Sequence, residues 1–146
     1  MEVKIVIDEA HTTPSIVIYA DAMTPEILAL VDKLSMDHNK KLLGYSGGEV
    51  FMIEPNSILR IHTECNKVVA VCEEGVFHLK NSLYEIDDNP PTRYFIRISG
   101  SEIANFEKVK SMDLSITGTI TLKFKNGEKA YVSRRYVDKI KTHLGM

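Results

Sequence analysis

A change of hydrophobic period near the C-terminus constrains the fold more than any other feature of the sequence. Apolar and polar residues alternate over residues 120–124, which predicts a half-buried strand. Asn126-Gly127 predicts a tight type I′ hairpin turn, because both central residues of that turn take positive φ. The alternation resumes over residues 129–132 and then stops at Ser133, a residue that can cap a helix. Helical spacing follows, with one apolar face formed by Val137, Ile140 and Leu144.

Two arginines, Arg134 and Arg135, lie at the predicted strand-to-helix junction. The planar guanidinium can pair with phosphate or with the O6 and N7 atoms of guanine. Free amides at a helix N-terminus also favour anions. The junction therefore suits a nucleic-acid backbone or base edge, and the alternative is a pair of solvated side chains in surface ion pairs.

The charge of the chain is unevenly distributed although its net value is only -2. From Arg93 onward there are eleven Lys and Arg residues against five Asp and Glu, a net charge of +6. The preceding residues hold seven basic and fifteen acidic residues, a net charge of -8. Such a division fits a basic surface for a polyanion beside an acidic remainder, and uneven scatter explains it equally well.

No pattern in the sequence indicates catalysis or a cofactor. The nucleophile elbow, the phosphate-binding glycine loop and paired catalytic carboxylates are all lacking, and the five histidines have no metal-ligand spacing. His62 and Cys65 form the nearest pair, but Cys65 and Cys72 are not spaced as in a zinc site. We predict no enzyme activity, no small-molecule substrate, no cofactor and no metal. Free thiols, no signal peptide and no run of roughly 18 apolar residues predict a cytoplasmic protein.

Residues 1–39 are predicted to form a ββα appendage. Residues 4–7 and 15–19 are rich in Val and Ile and read as short strands. Thr24 and Pro25 then give a good helix start. Because such a unit is too small to bury its own apolar face, we expect it to pair a strand edge with a second copy in a homodimer. The alternative is that it covers a sheet edge within one chain.

Residues 40–146 are predicted to form a second, mainly β domain. Short strands with Gly, Pro and Asn turns continue from Leu42, including a polar loop over residues 63–67. Ser82 is expected to cap a short helix that begins near Leu83. Another strand begins at Tyr94.

The later residues of this domain resemble the LytTR family of bacterial DNA-binding domains. The matching segments are Phe95-Ile96-Arg97-Ile98-Ser99, Ser101, Ile103-Ala104-Asn105, Lys123 to Gly127 and Ser133-Arg134-Arg135-Tyr136. The segment Ser82-Leu83-Tyr84-Glu85-Ile86 is similar to the family's short helix. The resemblance extends over residues 42–144 and is weaker before Tyr94. It implies a mainly β fold of small, stacked antiparallel sheets with short helices.

The resemblance implies that loops insert into successive major grooves of double-stranded DNA, with Arg135 at a base-reading position. The residues implied are Arg134, Arg135, Tyr136, Asn66, Lys67, Ser99, Gly100 and Ser101, flanked by Arg97 and Lys108. Gly100 departs from the family pattern, which has a basic or amide side chain there, so one contact is expected to be missing. Asn105 is interpreted as structural, fixing a turn through its side-chain amide.

As a whole the chain is similar to stand-alone LytTR transcriptional regulators, which have no response-regulator receiver domain. That similarity implies control by a signal other than phosphorylation, such as a membrane-bound antagonist protein. The alternative is a protein-interaction module on a LytTR scaffold with weak or no DNA binding, for which Gly100 and the negative net charge argue.

Overall fold

The computed structural model describes residues 1–35 and 41–146 of the chain. It divides into two compact units, Met1–Met36 and Asp37–Met146. The predicted domain boundary between residues 39 and 40 lies outside the described residues. No helix in the described ranges is long and apolar enough to cross a lipid bilayer.

The N-terminal unit contains the predicted helix but not the predicted strands. Helix α1 spans Pro25–Ser35, and the hydroxyl of Thr24 accepts a hydrogen bond from the amide of Ile27 at 3.3 Å. Residues 4–7 and 15–19 have no strand structure, so this part of the ββα prediction is wrong. The preference of Val and Ile for strands depends on packing against a neighbouring strand, and two short segments alone provide too little of it.

The second unit is built on a seven-stranded antiparallel sheet with strand order β2-β1-β5-β4-β3-β7-β6. Its strands are β1 (Leu42–Ser46), β2 (Glu49–Ile53), β3 (Ile58–Glu64), β4 (Lys67–Cys72), β5 (Gly75–Leu79), β6 (Phe95–Ser99) and β7 (Glu102–Asn105). Helix α2, Leu83–Asp88, follows β5, and the hydroxyl of Ser82 accepts a hydrogen bond from the amide of Glu85 as predicted.

A three-stranded antiparallel sheet and the C-terminal helix complete this unit. The small sheet has the order β10-β9-β8. Its strands are β8 (Val109–Asp113), β9 (Ile120–Phe124) and β10 (Lys129–Val132), and helix α3 spans Arg134–His143. The predicted mainly β class, with small antiparallel sheets and short helices, is therefore confirmed.

Two hydrophobic clusters form the core of this unit. The first joins strands of the large sheet to α2, and its members include Ile53, Ile58, Ile61, Ala70, Phe77, Leu83, Ile86 and Ile103. The second joins the large sheet to the small sheet and α3, and its members include Leu59, Ile96, Ile98, Ala104, Ile120, Leu122, Phe124, Ala130, Val132, Val137 and Ile140. The alternation over residues 120–132 thus places one side of the hairpin in the second cluster, as predicted.

The turn between β9 and β10 differs from the prediction. Lys129 pairs with Lys123, and the amide of Phe124 donates to the carbonyl of Glu128 at 2.8 Å, so the loop has three residues. Only Gly127 has positive φ, at 92°. The type I′ prediction is therefore wrong, because a three-residue loop needs just one left-handed residue. A two-residue turn with both residues at positive φ occurs instead at Gly47-Gly48, between β1 and β2.

Asn105 is fully buried and ties three segments of chain together. Its Nδ2 donates to the carbonyls of Ile58 at 2.8 Å and Pro55 at 3.5 Å, while its Oδ1 accepts from the amide of Glu107 at 3.1 Å. The predicted structural role is confirmed, since the side chain fixes the turn after β7 and the start of β3.

Candidate nucleic-acid interface

Backbone hydrogen bonds align three turns along one end of the strands. The amide of Thr63, near the end of β3, donates to the carbonyl of Ser101 at 3.0 Å. The amide of Ser133, after β10, donates to the carbonyl of Ile98 at 2.9 Å. These bonds place the β3–β4 turn beside the β6–β7 turn, and the β6–β7 turn beside the start of α3. We call these three turns together the loop edge.

The first turn of the loop edge is a two-residue hairpin of Cys65 and Asn66. Glu64 pairs with Lys67, so both strands extend into the predicted polar loop. Cys65 has a φ of 50° and Asn66 a φ of 62°, a conformation that favours glycine. Asn tolerates it, whereas a cysteine in this region is strained by its Cβ. The pairing of β3 with β4 imposes this turn and places the exposed Asn66 and Lys67 at the tip of the hairpin.

The second turn joins β6 to β7 and is organised by Arg97. Its guanidinium donates to the carbonyls of Ser99 at 3.0 Å and Gly100 at 2.6 Å. The hydroxyl of Ser99 accepts from the amide of Ser101 at 3.2 Å. These three hydrogen bonds occupy, within the turn itself, the guanidinium of Arg97 and polar groups of residues 99–101 that could otherwise contact a ligand. Gly100 is exposed and brings no side chain of its own, as the sequence indicated.

The third part of the loop edge is the N-terminus of α3. Ser133 makes no side-chain cap, so that prediction is wrong; its carbonyl instead accepts from the amide of Tyr136 at 2.9 Å. Arg134 and Arg135 are exposed, and the guanidinium carbon of Arg135 lies 5.8 Å from the ring centre of Tyr136. The first turn contains no acidic residue. Two cations at the positive end of a helix dipole favour an anionic ligand there.

Lys108 lies away from the loop edge. It follows β7 at the opposite end of that strand, and its Nζ is 2.9 Å from Oε1 of Glu73 in the β4–β5 turn. The structure therefore does not bring Lys108 together with Ser99 and Ser101. In sequence Lys108 is only seven positions from Ser101, but β7 carries the chain away from that turn.

A polar cluster beside the loop edge has no signal in the sequence. Arg60 and Glu102 lie 3.5 Å apart between side-chain atoms, and His62 pairs with Glu102 across the two strands. Burial raises the pKa of Glu102, and the charges of Arg60 and His62 oppose that rise. The alternation of β3 and the register of β7 together would have placed these side chains on one face, but the register cannot be read from the sequence.

Both cysteines are free thiols, as predicted. Burial, with the nearby charge of Glu74, raises the pKa of Cys72 to about 12, so this thiol stays protonated near neutral pH. Among the described residues, no three His, Cys, Asp or Glu side chains are grouped as a metal ion requires.

Comparison with known proteins gives a consistent result. The sequence profile described as the LytTr DNA-binding domain matches residues 48–145. Relatives from Staphylococcus aureus strains MSSA476 and NCTC 8325, each named an uncharacterized HTH-type transcriptional regulator, are 29% identical over 147 residues, covering 100% of this chain and 99% of theirs. A solved LytTr DNA-binding domain of a Bacillus cereus response regulator has 24% identity and a TM-score of 0.69, covering 73% of this chain and 97% of that one.

The profile match covers strands β2 to β10, α2, α3 and all three turns of the loop edge. The solved domain shares their fold. The chain belongs to the LytTR family of DNA-binding domains.

Proposed function

We propose that this protein is a sequence-specific transcriptional regulator that binds duplex DNA through the loop edge. The observation that carries the proposal is the pair of hydrogen bonds, Thr63 to Ser101 and Ser133 to Ile98, which unite turns from three separate parts of the chain. The strands β4, β3, β7 and β6 are consecutive in the sheet, so the first two turns lie within about 15 Å at ordinary strand spacing. The turns can therefore contact one segment of DNA together.

Different parts of the loop edge take different roles in this proposal. Arg135, steadied by the ring of Tyr136, reads a base edge in the major groove, and Arg134 pairs with phosphate. Asn66 and Lys67 enter the neighbouring groove from the hairpin tip. Arg97 positions the β6–β7 turn rather than contacting DNA, because its guanidinium already binds two carbonyls of that turn. Gly100 leaves the turn with only hydroxyl and backbone contacts.

The wider setting of the proposal is a homodimer in the cytoplasm. Two copies of the loop edge would read a repeated half-site. The similarity to stand-alone LytTR regulators supports control by a membrane-bound antagonist protein in place of phosphorylation. Residues 1–39 are proposed to contribute to self-association through the apolar face of α1, because residues 4–7 and 15–19 form no strand. A chain that begins at Lys41 tests this contribution by its mass in solution.

A protein-interaction module with weak DNA affinity is the second candidate function. It is favoured because two of the predicted DNA-contacting side chains bind other groups of the protein instead: Arg97 binds its own turn and Lys108 binds Glu73. Each cation withdrawn from the DNA surface removes one phosphate contact and the counterion released with it. The two functions therefore differ in how steeply duplex affinity falls with salt.

The test is selection of a preferred duplex from a random library, followed by measurement of affinity against salt. We expect affinity to fall steeply, and Arg135→Ala to lose about 1–3 kcal/mol of base discrimination. Arg134→Ala should weaken all sequences alike and lower the salt slope by about 1. Arg93→Ala is the matched control, because Arg93 is also exposed and lies 4.9 Å from the ring of the tyrosine that follows it, but precedes β6 at the end opposite the loop edge.

Two results would contradict the proposal. Affinity that does not change between low and physiological salt would favour the protein-interaction module. Equal effects of the Arg135 and Arg93 substitutions would remove the loop edge from DNA recognition.

A further inference from the structure

The two sheets have four outer strands, and three of them are protected against pairing. At β6, the amide of Ser133 donates to Ile98, and the outer side of the strand packs against α3 and β10. Strand β8 is interrupted by a bulge between Val109 and Ser111, and it carries Lys110. Strand β10 is short and begins at Lys129. Bulges, lysines and covering elements are the usual means of preventing edge-to-edge association.

Strand β2 has none of these protections in the described part of the chain. It pairs with β1 alone, its register is regular over all five residues, and residues 50–53 contain no charge and no proline. Val50 is 58% exposed and Met52 is 68% exposed. An apolar, regular and uncovered edge strand is a template for pairing with another strand.

The register shows which backbone groups of β2 are available. Gly47-Gly48 is a two-residue turn, so Ser46 and Glu49 form the hydrogen-bonded closing pair. Hydrogen-bonded and non-hydrogen-bonded pairs alternate from there, which directs the amide and carbonyl of Phe51 toward β1. The amides and carbonyls of Val50 and Met52 consequently face away from the sheet.

The side chains of β2 extend this edge into an apolar surface. Val50 and Met52 lie on one face of the sheet, beside Leu43 on β1, and all three are exposed. Phe51 lies on the other face, where its ring packs 5.1 Å from that of Phe77. Glu54, just beyond the strand, is neutralised by Lys41 at 3.0 Å. Both faces of the edge can therefore bury apolar area against a similar strand.

We propose that β2 pairs antiparallel with β2 of a second copy about a twofold axis at Phe51. Val50 then lies opposite the partner's Met52, and the outward groups of both residues form four hydrogen bonds across the axis. Other registers leave some of these groups unpaired. A symmetric, isologous contact of this kind closes at two copies and forms no filament.

This contact leaves the loop edge accessible. Strands β1 and β5 separate β2 from β4, the nearest strand of the loop edge, by about 14 Å in total at ordinary strand spacing. The inference deepens the proposed homodimer by naming its central contact, without which the proposed contribution of residues 1–39 does not hold two copies together, and it is independent of DNA binding. An interface of this size is small, so we expect dissociation at roughly 1–100 µM.

The test is sedimentation equilibrium of the full chain without DNA over a range of protein concentrations. We expect the average mass to rise with concentration from that of the monomer, 16.5 kDa, to twice that value. Met52→Pro removes one outward amide and leaves the bonds to β1 intact, so it should give a monomer at all concentrations. Val50→Lys with Met52→Lys places like charges opposite each other and should do the same, whereas Val50→Glu with Met52→Lys should restore the dimer. Ile116→Lys is the matched control, since Ile116 is 67% exposed but lies in the β8–β9 loop.

The pattern across the variants decides the inference. A dimer that persists in both Met52→Pro and the double-lysine variant would overturn it and would assign self-association to another segment. A wild-type chain that stays monomeric to about 100 µM would also overturn it. Circular dichroism of each variant shows whether the fold is kept. Binding of the monomeric variants to a single selected half-site reports separately on the proposed DNA function.

Discussion

Replacing Asn105 with alanine should destabilise the protein more than any exposed polar substitution. The change removes the donor to the Ile58 carbonyl and the acceptor for the Glu107 amide, at a site with no solvent access. Leaving a buried polar group without a partner costs about 1–3 kcal/mol. With a small cavity added, we expect the free energy of unfolding to fall by about 3–5 kcal/mol.

The control for this prediction is Asn126→Ala. The Oδ1 of Asn126 also accepts from an amide two residues ahead, that of Glu128, at 3.0 Å, but the site is exposed. Water can replace that bond, so we expect a loss of about 1 kcal/mol or less. Urea unfolding followed by circular dichroism measures both values. Equal losses of unfolding free energy in the two variants would refute the argument that the Asn105 hydrogen bonds stabilise the fold strongly because they are buried.

Three further substitutions test other parts of the account. Gly44→Ala should lower the free energy of unfolding by about 1–3 kcal/mol in urea unfolding, because a Cβ there would clash with the side chain of Ile53 and lie 2.8 Å from Cβ of Phe77. Cys65→Gly should raise it by about 1 kcal/mol by relieving the left-handed strain, and no change would mean that the turn is unstrained. Burial raises the pKa of Glu102 in the folded state, so the stability that its carboxyl contributes is full below the pKa of the unfolded chain and is lost as the pH rises through the folded value. Thermal unfolding against pH should show this decline in the wild type, and Glu102→Gln should abolish it.

Local signals in the sequence were sufficient for the elements whose pattern and packing agree. The hairpin of β9 and β10 buries Ile120, Leu122 and Phe124 as its alternation predicts, and Ser82 caps α2. Gly145 follows α3 with φ at 73°, the left-handed conformation that glycine adopts readily at the end of a helix, and the amide of Met146 donates to the carbonyl of Lys141. Each of these features is set by residues within a few positions of one another.

Features that depend on distant residues were not predictable. Residues 4–7 and 15–19 have the composition of strands but no strand to pair with. The turn at Cys65-Asn66 is imposed by the pairing of β3 with β4, which outweighs the energetic cost of a positive φ at a cysteine. The separation of Lys108 from Ser101 and the grouping of Arg60 with Glu102 both depend on strand register, which no short window of sequence specifies.

At the loop edge too, the local motif was predictable from the sequence and the long-range arrangement of the turns was not. The motif at Ser133-Arg134-Arg135-Tyr136 predicted one of its turns through family resemblance, and both arginines are exposed there. The union of all three turns comes from two backbone hydrogen bonds between segments that are far apart in the chain. The contribution of each turn to DNA binding stays a prediction.

The most direct measurement of the central claim is the change in backbone amide resonances as a selected duplex is added to the labelled protein. We predict that the largest changes fall on residues 65–67, 99–101 and 133–136, the three turns of the loop edge. Residues around Lys108 and the β4–β5 turn, at the opposite end of the strands, should change little. Large changes there, with the loop edge unaffected, would contradict the assignment of this edge as the DNA-binding surface.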